Sequence, residues 1–325
     1  MNRLIAVAGI SFWSMLAFMG PVPAQAQNFP ERPVHLIVPY APGGITDFAG
    51  REVGQKLSAV LGQPVVVENK PGAGGIVGVD YVAHAAPDGY NMAIMDPAIV
   101  INPTLQKSMP YDVFKDLVTL SIVNSSPEVL VVAPQLGIKS YAELVAYGKA
   151  NPGKLNYASA GVGTAPHLAA EMWKLRTGID AVHVPYKGIG ASYTDMMSNK
   201  VQMSFSSIAG ALPFTSDARV VPLATTGTER SPVFPDLPTV AEAGLPGYSV
   251  DLWLGLYGTA GTPPAVLAKL NSAISKALQD GELKTAFAKF GLTPRGTSLA
   301  EGAAFTKAEY EKWKKVIEDG HITLD

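Results

Sequence analysis

No cysteine occurs in the 325 residues, so the chain has no disulfide, no thiolate ligand and no lipid-anchoring cysteine, and its core alone must hold it together. Charge is sparse as well. Lys and Arg number 25 against 27 Asp and Glu, a formal net charge of -2, with no long run of either sign. That removes the basic footprint of a nucleic-acid binder and leaves small molecules or proteins as partners. His35, His84, His167, His183 and His321 show no metal-ligand spacing, and without thiolates a zinc site has little to draw on. Neither a metal nor a cofactor is expected. No complete phosphate loop and no Gly-x-Ser-x-Gly nucleophile elbow is present.

What is present begins with an export pattern. Arg3 precedes an apolar run from Leu4 to Phe18, followed by Gly20, Pro21, Pro23 and then Ala24-Gln25-Ala26. The run is too short to cross roughly 30 Å of hydrocarbon, and small residues sit at the cleavage position, so residues 1–26 read as a secretory signal cut after Ala26. A periplasmic mature protein of roughly 300 residues is the consequence, more than one core usually holds, so two domains are expected.

Val34 to Val38 reads as a buried strand that runs into Pro39-Tyr40-Ala41-Pro42-Gly43-Gly44, which continues neither strand nor helix. Thr46 or Asp47 is expected to cap the helix that follows, with Ala49, Val53, Leu57, Val60 and Leu61 at helical spacing and Gly62 as its stop. Val65 to Val67 is the next strand. A second glycine loop, Pro71 to Gly75, opens a second helix through Val79, Val82 and Ala83. Strand, helix, strand, helix is the grammar of a parallel α/β sheet. It restarts at Leu155 to Ala158, which gives way to Ser159-Ala160-Gly161-Val162-Gly163-Thr164-Ala165-Pro166 and a helix from about His167 to Arg176. Further strands are expected at Val182 to Pro185, Val201 to Phe205, Val221 to Thr225 and Val250 to Tyr257, and helices at Pro263 to Leu278 and Leu299 to Glu318. Chain crossings between two lobes are expected at Leu117 to Val123 and at Val250 to Tyr257, although a linear two-domain division fits the periodicities almost as well.

Both halves thus carry a glycine-containing turn from strand to helix. Such turns gather unpaired backbone N–H groups at a helix amino end, where an anion is held at least cost. The same glycines also serve tight turns and helix-sheet packing with no ligand at all. A dinucleotide site is disfavoured, because Pro166 stands where a third glycine is wanted. Ser159, His167 and Asp47 could meet as a hydrolase triad, but three common residue types in a long chain supply such sets by chance. Lys187, in Pro185-Tyr186-Lys187-Gly188, reads equally as a cleft charge or a solvated turn residue.

Phe29-Pro-Glu-Arg-Pro33, Val38-Pro-Tyr-Ala-Pro-Gly-Gly-Ile-Thr-Asp47 and Val67-Glu-Asn-Lys-Pro-Gly-Ala-Gly-Gly75 together resemble the Bordetella uptake gene type of extracytoplasmic solute receptor, which serves tripartite tricarboxylate transporters. The likeness continues through Pro87-Asp-Gly-Tyr90, His183-Val-Pro-Tyr-Lys-Gly188, Phe234 to Gly247 and Gly258-Thr-Ala-Gly-Thr-Pro-Pro264, so it spans nearly the whole mature chain. It implies a two-lobed periplasmic binding protein, a type II-like Venus-flytrap with two crossover strands and a cleft between lobes. The first lobe would be residues 27–123 with 250–325, the second 124–249. It implies a non-catalytic monomer that traps a small organic acid and delivers it to membrane permease subunits, or presents it to a sensor protein.

By the same resemblance, the ligand carboxylate is held by Tyr40, Ala41, Pro42, Gly43, Gly44, Thr46 and Asp47 and by the matching loop with Ser159, Gly161, Gly163, Thr164 and His167. Gly74, Asp96, Tyr186, Lys187, Gly188, Ser206 and Ser207 would line the remainder of the ligand. Many relatives carry an acid and an amide where this chain has Ser206 and Ser207. An acid at 206 would suit an amine-bearing ligand, so its absence favours a plain mono- or dicarboxylate, aromatic ones included, unless Asp96 faces the cleft and restores a negative wall.

Overall fold

The computed structural model describes residues 28–186 and 188–324; the expected signal segment and Lys187 lie outside them. Strand β1 (Val34–Val38) pairs in parallel with β2 (Val65–Asn69) and β3 (Asn91–Met95), as expected where helices α1 (Ile45–Leu61) and α2 (Ile76–Ala83) provide the crossovers. The sheet is completed by β4 (Leu117–Ser125), β10 (Leu254–Thr259) and a short edge, β11 (Thr293–Pro294), in the order β11-β4-β10-β3-β1-β2. β10 runs antiparallel to both neighbours, so the sheet is mixed rather than purely parallel.

The second sheet holds β5 (Glu128–Val132), β6 (Leu155–Ser159), β7 (Ala181–Pro185), β8 (Met203–Ser207) and β9 (Val221–Thr225), in the order β7-β6-β8-β5-β9. The chain therefore leaves the first sheet once, after β4, and returns once, at β10. The linking segments pair with each other. Ser126 and Leu252 exchange two backbone hydrogen bonds, at 3.0 and 2.8 Å, and Pro127 bridges Asp251 beside them. The ladder of β10 starts only at Leu254 because Val250 to Leu252, expected to be its beginning, pair elsewhere: Leu252 with Ser126, Asp251 with Pro127 and Val250 with Thr226.

Around the second sheet lie α4 (Tyr141–Ala150), α5 (Ala165–Thr177), α6 (Ser192–Met197) and α7 (Ile208–Thr215). The first carries α3 (Ala98–Leu105), α8 (Pro264–Leu278), α9 (Gly281–Ala288) and α10 (Leu299–Asp319). α1 buries Ala49, Val53 and Leu57 at four-residue spacing and stops at Gly62, which takes the left-handed conformation at φ 69°. Its start differs from expectation. Gly44 is the N-cap without any side-chain bond, and Thr46 and Asp47 lie buried inside the first turn, because the Asp47 carboxylate is already occupied by Arg51. α10 opens on a capping box, Ser298 with Glu301, and lies against α3, β4 and α5. One apolar core runs through both lobes as a result: Ala93, Met95 and Val100 belong to the same cluster as Leu130, Tyr157, Phe205, Trp253 and Trp313.

Candidate functional site

The two sheets face each other across a cleft with two adjoining cavities, of about 450 Å³ and about 480 Å³, which share Ser207 and Leu252 as a common wall. The β1–α1 turn serves both. Tyr40 at its start faces the first cavity, while Gly43, Gly44 and Asp47 at its end face the second. The β6–α5 turn meets Tyr40 in the first cavity through Val162, Gly163 and Thr164. The lobes touch on both sides of the cleft. A Cβ on Gly163 would lie 2.7 Å from the Leu105 side chain of α3, and one on Gly291 would lie 3.4 Å from Ile208 of α7.

The first turn is shaped by Asp47. Its carboxylate accepts from the Gly43 N–H at 2.9 Å, from Asn69 Nδ2 at 2.8 Å and from both Arg51 Nε and Nη2. The Arg51 guanidinium, with Asn69 and the Gly43 amide, holds the Asp47 carboxyl down to about 2 against its burial. Asp47 is thus a charge-neutralised clamp on the turn. The helix amino end above it presents first-turn N–H groups that have no acceptor within the helix. Thr46 is buried, and Ala41 and Pro42 are exposed and belong to the wall of neither cavity.

The second turn is shaped by its own hydroxyls. Gly161 lies at φ 125°, its carbonyl accepting from Thr164 Oγ1 at 2.7 Å and its N–H donating to Ser159 Oγ at 3.0 Å. Ser159 is fully enclosed and lies 2.6 Å from His183 Nε2, not beside His167. His167 Nδ1 accepts from the Gly163 N–H at 3.2 Å, its ring stacked on His183 at 4.1 Å, and burial with that neighbour brings its pKa down to about 4. The neutral His167 is therefore a fixed part of the turn. Ser159, His167 and Asp47 do not assemble as a triad, because each is consumed by a different local partner.

The walls beyond the turns differ from expectation in detail. Asp96 and Gly74 line the first cavity, where Tyr40 donates to Asp96 Oδ1 at 2.9 Å and Asn102 donates to the Gly74 carbonyl at 3.2 Å. Burial raises the Asp96 carboxyl, and both burial and Asp96 push the Tyr40 phenol far up. Strand alternation admits only one of the two serines: Ser207 faces the cleft and caps α7, while Ser206 is enclosed beside Ser204. Tyr186 donates to Asp195 at 2.9 Å, and neither it nor Gly188 lines either of these two cavities, although Ile189 lines the first.

Several wall residues carry no sequence motif. Glu128, Asn102 and Gln106 add polar groups to the first cavity; Phe48, Phe290 and Leu292 make the second apolar, with the two phenyl rings 4.2 Å apart. Glu128 has a visible trace in the sequence, a lone acid opening an otherwise apolar strand. Among the described residues no cluster of three or more His, Asp or Glu is placed to hold a metal, and no helix is long and apolar enough to cross a membrane.

The comparisons agree with this architecture. Residues 49–322 match the tripartite tricarboxylate transporter family receptor. Protein BugT of Bordetella pertussis is 36% identical over 321 residues, 98% of each chain. Among solved structures, Rpa4515 of R. palustris with adipate is 31% identical with a TM-score of 0.76, covering 91% of this chain and 99% of its own. MatC from Rhodopseudomonas palustris with bound malate is 31% identical with a TM-score of 0.71, covering 89% of this chain and 100% of its own. The matched family is one of solute receptors rather than enzymes. The chain belongs to the tripartite tricarboxylate transporter receptor family, as a two-lobed periplasmic solute-binding protein.

Proposed function

We propose that the cleft captures a small organic acid, with one carboxylate at the paired turns, and that lobe closure around it forms the surface recognised by the membrane subunits. The observation that carries this reading is the meeting of Tyr40 from the β1–α1 turn with Val162 to Thr164 from the β6–α5 turn in one cavity. Two helix amino ends from different sheets open on that cleft, and each contributes partial positive charge where an arginine clamp would otherwise be needed. Similar structures hold adipate and malate, both carboxylates. Ligand residues on this proposal are Tyr40, Gly43, Gly44, Gly74, Asp96, Gly163, Thr164 and Ser207, with Asp47, Ser159, Gly161 and His167 setting the turns.

The paired link at Ser126 and Leu252 is the natural hinge, and the lobes on this reading are residues 27–123 with 250–325 and 124–249. Contacts made by the ligand to both lobes favour the closed state by differential binding. Export through the segment ending at Ala26 would bring the mature chain, as a monomer, to its membrane partner.

A thermal-shift screen of mono- and dicarboxylic acids, followed by calorimetry on the hits, tests the reading. At least one acid should bind with a Kd in the micromolar range or tighter, about -8 kcal/mol or better. The stabilisation should grow with the logarithm of its concentration. A protein that no organic acid stabilises, or a crystal with the bound acid outside the cleft, ends the proposal.

A further inference from the structure

We propose that the solute carries a protonated amine as well as its carboxylate, and that Glu128 is the acceptor for that ammonium in the first cavity. The inference rests on the carboxylate reading above and narrows it to zwitterionic acids. Glu128 is only 1% exposed, opens β5 at the hinge and faces Ser207 in register across the ladder. Its side chain is in the cavity wall, yet Oε2 is enclosed with no hydrogen-bond partner. A carboxyl oxygen withdrawn from water without a donor is costly, so its retention calls for a partner supplied from elsewhere. The hinge does not need this side chain. The Glu128 backbone N–H donates to Thr226 Oγ1 at 2.7 Å and its carbonyl accepts from the Thr226 N–H at 2.9 Å, so the strand is anchored without the carboxyl.

The surroundings select the charge of that partner. Asp251 of the hinge segment acts on Glu128, which in turn acts on Tyr193 of α6 and Tyr248 just before the hinge, and Asp96 lies in the same cavity wall. All are acids or phenols. Among the described residues no lysine, arginine or histidine lines this cavity. A second ligand carboxylate placed here would face two acids, whereas an ammonium would be paired by them. Burial, with Asp251 adding to it, pushes the Glu128 carboxyl up to about 8, so it is largely protonated at neutral pH before the ligand arrives. An arriving ammonium makes the ionised form favourable again. The carboxyl proton passes to solvent as the N–H···O⁻ pair forms, and charge balances.

Calorimetry with probes of matched length tests this: ε-aminocaproate against adipate, δ-aminovalerate against glutarate, and hexylamine as an amine without a carboxylate. Wild-type protein should bind the amino acids about tenfold or more tighter than their diacid partners. Near pH 7, in buffers of different ionisation enthalpy, binding should release roughly one proton. Glu128→Gln should cost the amino acids about tenfold, abolish proton release and leave the diacids unchanged or improved. Diacids bound as well as or better than amino acids by the wild type, or the same preference in Glu128→Gln, overturns the inference. Diacid binding alone sinks it while the carboxylate reading survives. Glu128-dependent binding of hexylamine with every acid inert, or silence from all probes, removes both, because the inference needs the carboxylate as well as the ammonium. Proton release is read on the wild type, so the test holds even if the variant folds poorly.

Discussion

At the residue scale, Asp47 shows how a charge that looks like a ligand contact can instead build one. A carboxylate at a helix amino end would repel an incoming anion if left bare. Here Arg51, Asn69 and the Gly43 N–H absorb it, and the result is a turn with its direction fixed. Removing the carboxylate frees Gly43, which sits at φ 96°, and releases Arg51 toward solvent. Asp47→Asn should therefore weaken binding of a confirmed acid about tenfold and lower the melting temperature by about 3 °C at pH 7. The pH dependence follows from the depressed pKa. A carboxyl held near 2 in the folded chain, below its ordinary 3.8, contributes stability in full above that ordinary value and loses it as pH falls through about 2. Melting curves of the two proteins should thus stay apart from pH 7 to 5 and converge toward pH 2. A constant gap across that range would mean that the carboxylate charge is not what holds the turn.

At the scale of elements, the β6–α5 turn is where shape limits closure. Gly163 is in the left-handed region at φ 77°, and any Cβ there points at Leu105 on the opposite lobe. Gly163→Ala should slow or block the last step of closure and raise the Kd of a confirmed ligand about tenfold, while Gly163→Ala combined with Leu105→Ala recovers part of the loss. Calorimetry on both variants checks it, and equal losses in the two would place the effect in backbone strain alone. The same elements explain what could be read beforehand. β1, α1, β6 and α5 were legible because uninterrupted apolar spacing ends at a glycine turn. α3 was not: Pro103 sits inside it and its apolar residues do not favour one face, although it supplies Asn102 and Leu105 to the site. The expected strand, Val201 to Phe205, stopped short of Ser206 and Ser207, which the ladder includes, and so left their facing open. Glu128 escaped because the chemistry of a lone acid depends on what stands across the ladder, which only the folded register reveals.

At the scale of the whole molecule, two lobes joined by a narrow link would ordinarily unfold separately. This chain is built against that. Its main apolar cluster takes residues from both sheets, and α10 lies on both lobes with a buried acid, Glu309, at its centre. Glu309 Oε2 accepts from Trp253 Nε1 at 2.9 Å and from Trp313 Nε1 at 3.1 Å, one indole beside the hinge and one on the helix itself. Both indoles are fully buried, so each would be left without an acceptor if that carboxylate were removed, at about 1–3 kcal/mol apiece. The wild type should accordingly give one calorimetric transition with equal van't Hoff and calorimetric enthalpies. Glu309→Ala should lower its midpoint by several degrees and broaden or split it, because the fastening between hinge and closing helix is lost while each sheet keeps its own helices. Glu309→Gln retains an amide oxygen for the indoles and should recover most of the midpoint. Two transitions in the wild type would show that the shared cluster does not couple the lobes. A single sharp transition in Glu309→Ala would show that apolar packing does so without this acid.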